Sequence, residues 1–346
     1  MRKRARKSVW AWGVGRQLDA LTSLARAAGT RALARVLKPA PARSLPSPVA
    51  GSWTQGVAIG ATGARRFRLF RPPRIDADER LPLMVMLHGC GQDANSFAAS
   101  TRMNQVALRE RFLVLYPEQD RRINPQGCWN WYDTDSGRAD GEVALILNAI
   151  DQVCLLHPVD GSRVAVAGLS AGASMAALLA TRHPGRFKAV VMHSGVPPGT
   201  AHSGLTALGA MRGRRATAPL RAHPTTTVLD RPPLLAIHGD ADTVVSPRNS
   251  LAAVQAWTQP AGAQGTTART LQRGRRRPMS VADFKQHGRT VATLVIVHGL
   301  AHAWSGGAAR HPYGDAHGPD ASRLAWAFAA RQFRRLKSKR PTVTPR

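Results

Sequence analysis

Residues 163–167, Arg-Val-Ala-Val-Ala, run straight into Gly168-Leu169-Ser170-Ala171-Gly172 and then into an Ala-rich stretch ending near His183. No other segment constrains the chain as tightly. Strand-like residues pass into helix-forming ones with no room for a loop, so the bend must fall on one or two residues. A strand turning directly into a helix crowds that bend, and glycines at 168 and 172 remove the side chains that would collide there. Ser170 is thus expected in a sharp, strained and exposed elbow, with the first helical N–H groups facing whatever approaches it. The pentapeptide by itself is only moderately specific. Its strand–turn–helix flanks are what make Ser170 a candidate nucleophile. The alternative is a serine that merely caps the helix starting near Ala171.

The same alternation extends through the chain. Short apolar runs occur at residues 83–87, 112–116, 189–192, 234–237 and 294–297, with helical patterns at 95–109, 141–156, 171–183, 247–257 and 319–336. Runs that are apolar throughout suit strands covered on both faces. Strands alternating with helices predict an α/β fold, a mostly parallel sheet with helices on both sides. Residues 54–70 supply leading antiparallel strands. Residues 197–233 form a long connection of the kind that serves as a lid or binding loop. Residues 259–289 read as an irregular basic insertion with hairpin character.

At 346 residues and 43% hydrophobic content the chain is long enough and apolar enough to bury a sizeable core. Catalysis is expected within one domain over residues 51–336. Before it, Trp10, Val14, Leu18, Leu21, Leu24, Ala28 and Val36 recur at helical spacing among Arg and Lys. Residues 1–50 therefore read as a basic amphipathic helix followed by a Pro-rich linker at 38–48. Such a helix either lies on an anionic surface or packs on the main domain. Arg16 and Asp19 interrupt the apolar stretch that a secretory leader requires. No apolar run approaches the ~18 residues needed to span a bilayer. Residues 337–346 form a basic tail.

The formal net charge of +29 is spread along the whole chain, with clusters at 2–7, 212–215, 273–277 and 334–340. Such clusters attract nucleic acid or anionic lipid by counterion release. No helix-turn-helix cue, finger spacing or RNP-like aromatic motif accompanies them, which argues against nucleic-acid binding as the main role. Cys90, Cys128 and Cys154 include no CxxC, so neither a zinc site nor a dense disulfide framework is indicated.

A serine nucleophile needs a base, and the base needs a partner that fixes its tautomer. The run at 234–237 is followed by His238-Gly239-Asp240-Ala241-Asp242, and that at 294–297 by His298-Gly299-Leu300-Ala301-His302-Ala303-Trp304. Both loops hold the required residue types at strand ends, in the order serine, acid, histidine used by α/β hydrolases. Asp240 sits in the tight turn, where an aspartate commonly caps backbone N–H groups. Asp242 lies further out and is preferred as the acid. His298 closes its strand and reads as structural, as do His88, His193 and His238, so His302 is preferred as the base. One oxyanion donor is expected from the N–H of Ala171. The other is expected from Leu87-His88-Gly89-Cys90-Gly91-Gln92, with Cys90 acting through its main chain rather than its thiol.

Five motifs in order, His88–Gln92, Cys128-Trp129-Asn130-Trp131-Tyr132, Gly168–Gly172, His238–Asp242 and Gly299-Leu300-Ala301-His302-Ala303-Trp304-Ser305-Gly306-Gly307, resemble the polyhydroxybutyrate (PHB) depolymerase family of esterases. The resemblance runs over about residues 55–335. It implies an α/β-hydrolase fold, a triad of Ser170, Asp242 and His302, oxyanion donors at Cys90 and Ala171, and no metal or organic cofactor. The implied activity is hydrolysis of short-chain polyhydroxyalkanoates, with feruloyl and acetylxylan esterases as relatives sharing the triad. Trp129, Trp131 and Trp304 become candidates for a substrate groove, since aromatic faces suit a polyester or a feruloyl ring. Ordinary core packing is the alternative for them. Cys90 and Cys128 become a candidate disulfide in an oxidising compartment, against free buried thiols.

Two departures bear on substrate and place. The chain stops after its last helix and basic tail, with no polymer-binding domain expected, and its leader is interrupted. Soluble oligomers, native granules and small esters then become better substrates than extracellular crystalline polymer. The resemblance implies an extracellular location, while the interrupted leader favours a cytoplasmic or granule-associated one. The non-enzymatic reading is a basic protein that uses residues 1–50 to sit on granules, membranes or nucleic acid.

Overall fold

The computed structural model of the chain describes residues 50–217 and 231–337. The helix and linker expected before Ala50, the tail beyond Lys337 and residues 218–230 of the long connection lie outside the described residues. The order is β1 (Ser52–Gly60), β2 (Gly63–Arg71), β3 (Leu81–Leu87), α1 (Ala94–Thr101), α2 (Met103–Glu110), β4 (Leu113–Pro117), α3 (Arg138–Leu156), β5 (Val159–Leu169) and α4 (Ala171–Arg182). It continues with β6 (Ala189–His193), α5 (Gly204–Met211), β7 (Leu234–Gly239), α6 (Arg248–Thr258), β8 (Gln264–Gly265), β9 (Arg269–Leu271), β10 (Met279–Gln286), β11 (Arg289–Val297), β12 (Trp304–Ser305), β13 (Gly314–Asp315) and α7 (Ala321–Lys337).

β3, β4, β6 and β7 are buried at every residue. Strands without a solvated face pair in parallel beneath helices, as these do. The sheet order is β1-β2-β4-β3-β5-β6-β7-β11-β10-β8, with β9 also on β10. The pairs β4–β3, β3–β5, β5–β6, β6–β7 and β7–β11 are parallel, whereas β1–β2, β2–β4 and β10–β11 are antiparallel. The sheet alternation divides the core. Leu83, Val85 and Leu87 face the layer of α3, α4 and α6, while Met84 and Met86 face α1, α2 and α7. Each such side chain, fully buried, contributes about 1.5–3 kcal/mol. Because β3, β5, β6, β7 and β11 run the same way, the loops that leave them all open at one edge of the sheet. That is where open α/β sheets place their chemistry.

Two expectations change. The helix expected over 95–109 is two helices, broken at Arg102 in the left-handed region at φ 56°. The Thr101 hydroxyl turns back onto the Phe97 carbonyl (2.9 Å), and the Arg102 guanidinium reaches the Gly306 carbonyl, so the break fastens a distant loop. The insertion at 259–289 contains β8, β9 and most of a regular hairpin, because β10 pairs along nearly the whole of β11. Its residues are mostly part-exposed, which hid the strand from a search for apolar runs.

Candidate active site

Ser170 stands between β5 and α4 with φ 56° and ψ −122°. Such a backbone costs on the order of 1–3 kcal/mol and persists only where its surroundings dictate it. The surroundings do so here. Ser170 N–H donates to the His193 carbonyl (2.9 Å), and Ser174 N–H donates to the Ser170 carbonyl (3.1 Å). A Cβ on Gly168 would lie 2.3 Å from the Gly172 carbonyl, and one on Gly172 only 2.1 Å from the Leu87 carbonyl oxygen. Both glycines are thus required by the approach of β5, α4 and β3. The Ser170 side chain makes no capping hydrogen bond to α4, so its hydroxyl is not committed to the helix.

Past β7, Asp242 is buried and accepts on both oxygens. Oδ1 takes the N–H groups of Val244 and Val245, each at 2.9 Å, and Oδ2 lies 2.7 Å from His302 Nδ1. His238 Nε2 approaches the same Oδ2 at 3.3 Å and the Val245 carbonyl at 2.9 Å. Burial pushes the Asp242 carboxyl up, but hydrogen bonds from His238 and His302, the attraction of His302 and the Val245 N–H outweigh it. The group is held well below the usual carboxylate range. A fixed carboxylate at Nδ1 sets the His302 tautomer and leaves Nε2 on the opposite edge of the ring as the proton acceptor. Asp242 and His302 are therefore brought together. The Ser170 hydroxyl is not hydrogen-bonded to His302, a gap common before substrate binds.

His193 joins the two halves. Its carbonyl holds the elbow, its Nε2 accepts the Ser305 N–H (3.1 Å), and its ring stacks on Trp304 at 5.0 Å. Burial, with repulsion from His238 and His302, pushes its pKa down to about 3, so it stays neutral and keeps that acceptor.

The loop after β3 lies against the serine, since a Cβ on Gly89 would sit 3.6 Å from Ser170 Cβ. Gly89 N–H donates to Gln92 Oε1 (2.9 Å), Gly91 N–H to the Gln126 carbonyl (2.9 Å) and Gln92 N–H to the Gly89 carbonyl (3.2 Å). Among the described residues, neither the Cys90 N–H nor the Ala171 N–H has a hydrogen-bond partner. Cys90 is disulfide-bonded to Cys128. Beneath the loop, His88 pairs through Nδ1 with the Gly89 carbonyl (2.9 Å) and accepts the Gln119 N–H at Nε2 (3.1 Å). Burial pushes its pKa down to about 4.

Sequence reasoning missed what supports this loop. Buried Glu142 accepts from Asn130 N–H (2.9 Å), Asn130 Nδ2 (2.7 Å) and Gln119 Nε2. Buried Arg65 donates to the Glu118 carbonyl (3.0 Å) and to Gln119 Oε1. Arg65 shares its strand face with Phe67 and Leu69, and Glu142 its helix face with Ala139 and Ile146, but a charged side chain on either face reads as solvent-facing.

The tryptophans require a correction. Trp129 and Trp304 are 0% exposed. Trp129 donates to the His88 carbonyl (3.0 Å) beneath the Arg65 guanidinium, and Trp304 donates to Ser322 Oγ (3.1 Å) edge-on to Phe97. With no face open to solvent, neither lines a groove; both shape the loops from below. Trp131, 7% exposed, meets Tyr132 edge-on. The part-exposed aromatic beside His302 is Tyr313, with ring centroids 6.5 Å apart.

A second acid–histidine pair occupies the same two loops. Asp240 accepts from His298 Nδ1 (2.9 Å) and from Gly299 N–H (2.6 Å), and His298 Nε2 meets Ser280 Oγ at 2.8 Å. Ser280 lies within β10, paired with Thr270 and Ile296 on either side, so no elbow or row of helical N–H groups accompanies it. This chain of contacts fastens the loop after β11 to the loop after β7.

Comparison with known proteins bears on this geometry. The model of the family described as esterase PHB depolymerase matches residues 65–276, more than half of the chain. The chain belongs to that family. The match takes in Cys90, Ser170 and Asp242, while His302 lies beyond it. Poly(3-hydroxyalkanoate) depolymerase C of Paucimonas lemoignei is 32% identical over 192 residues, 54% of this chain and 46% of that protein. Feruloyl esterase B of Thermothelomyces thermophilus is 27% identical over 57% of this chain and 71% of its own. The chain thus spans about half the length of the depolymerase it matches. Among solved structures, the acetyl xylan esterase from Aspergillus awamori superposes with a TM-score of 0.62 at 19% identity, covering 73% of this chain and 94% of that one. The fold it shares with this chain is the α/β-hydrolase fold, as the sequence reading expects.

Proposed function

We propose that the chain is a serine carboxylic ester hydrolase working through an acyl-enzyme on short-chain polyhydroxyalkanoate oligomers or related esters, with residues 51–336 as the catalytic unit. The observation that carries this reading is the Asp242–His302 pair at 2.7 Å, on the sheet edge that also holds Ser170 in a strained elbow. His302 Nε2 takes the hydroxyl proton as Ser170 Oγ attacks the ester carbonyl. The unpaired N–H groups of Cys90 and Ala171 receive the developing oxyanion. A donor in that role is typically worth ~2.7–4 kcal/mol of barrier. Asp242, kept ionised, stabilises the imidazolium. His302 then passes the proton to the departing alcohol, and water, activated by the same imidazole, releases the acid.

Turnover of p-nitrophenyl butyrate by wild type and Ser170→Ala tests the assignment. A fall of about 10⁴–10⁶ in kcat with an unchanged circular dichroism spectrum is expected. Retention of near-wild-type turnover would sink it.

A second substrate reading is supported by the feruloyl esterase relative, which is matched over 71% of its own length. Rates on 3-hydroxybutyrate oligomers and on methyl ferulate separate the two, and turnover of the ferulate alone would favour the second.

A further inference from the structure

Tyr313 has a backbone that bulky side chains avoid, with φ at +60°. Its surroundings impose that conformation. The Tyr313 carbonyl accepts the Trp304 N–H (2.7 Å), and Gly314 packs so closely that a Cβ there would lie 2.5 Å from the Ala308 carbonyl oxygen. The ring so placed stands edge-on to His302, with planes at 83° and centroids 6.5 Å apart, and it keeps part of its surface exposed. This is the separation and angle of an edge-to-face aromatic contact. Trp129 and Trp304, fully enclosed, have no surface left to offer a substrate.

The direction of proton transfer says which part of a substrate meets this ring. In acyl transfer the imidazole delivers its proton to the departing alcohol, so the groups around its accepting edge border the alcohol side of the scissile bond. We propose that the Tyr313 ring borders that edge and forms a specificity-determining wall of the leaving-alcohol subsite, favouring an alcohol that lays an apolar face against it. The proposal rests on His302 being the base.

The test measures kcat/KM for wild type, Tyr313→Phe and Tyr313→Asn on two ester series. One holds the acyl group constant, as ethyl, phenyl and 2-naphthyl acetate. The other holds the alcohol constant, as ethyl acetate, butyrate and hexanoate. Asparagine adopts positive φ readily, so Tyr313→Asn removes the ring without adding backbone strain. It is expected to lose the preference for aryl over ethyl acetates by about threefold to tenfold, while Tyr313→Phe retains it. The acyl-chain profile stays the same in all three proteins. An unchanged aryl preference in Tyr313→Asn, or an equal loss across both series, overturns the proposal and leaves the esterase reading standing. Absence of turnover by wild type on every ester overturns both.

Discussion

Asp242 receives two backbone N–H groups and two imidazoles on its two oxygens, and Asp240, two residues earlier, receives one of each. The difference between them is enclosure. Asp242 is buried and Asp240 is exposed, and His298 already has Ser280 at its second nitrogen. Replacing Asp242 by Asn keeps the shape and removes the charge that favours the productive tautomer and the imidazolium. Asp242→Asn is expected to lower kcat by about 10⁴ with little change in KM, read from steady-state rates on p-nitrophenyl butyrate. The loops that carry these pairs are legible in the sequence, because acids and histidines fall directly after apolar runs. The pairing itself is legible only as a preference for the outer residue of each loop. Two aspartates two positions apart differ by burial, and burial depends on the Val244–Val245 turn that no local pattern announces.

At the scale of elements, the elbow is the most readable feature because its glycines record contacts between backbones rather than between side chains. Gly172 faces the Leu87 and His88 carbonyls, where a Cβ would approach to 2.1 and 2.5 Å. Neither carbonyl can yield without moving β3 and the donor loop that follows it. Gly172→Ala is therefore expected to destabilise the protein by about 3 kcal/mol, the upper end of the usual cost of overpacking, in urea unfolding and to lower kcat together with it. The donor loop was only half legible. Its glycines showed that it bends, but Arg65, Gln119 and Glu142 beneath it come from three other elements. Isolated charged residues in amphipathic segments read as solvent-facing. The tryptophans illustrate the reverse limit, since residue type shows an aromatic surface but not whether that surface is covered.

Across the whole molecule, the mostly parallel sheet and both helical layers follow from apolar runs alternating with helical patterns. The β10–β11 hairpin shows only as hairpin character, because β10 is mostly part-exposed, and the break at Arg102 does not show at all, because the Gly306 loop it fastens is distant in sequence. Buried neutral histidines also give the molecule a pH dependence. His88 and His193 have pKa values pushed down to about 4 and about 3 from an ordinary 6.5. Between those limits the unfolded chain binds more protons than the folded one, so stability rises with pH. It is complete above about 6.5 and falls as pH drops towards 4 and 3. Urea midpoints should hold between pH 7.5 and about 6.5 and decline from there to pH 4.5, and a non-titrating residue at position 88 should flatten that decline. The two acid–histidine pairs have one more consequence. His302 sits on a loop fastened at two points to its neighbour, so the loop resists the shift that would carry the imidazole to the serine. The imidazole is thereby kept in one place, while the Ser170 hydroxymethyl group, uncommitted to the helix, is left to turn about a single bond, a motion of picoseconds to nanoseconds for accessible side chains.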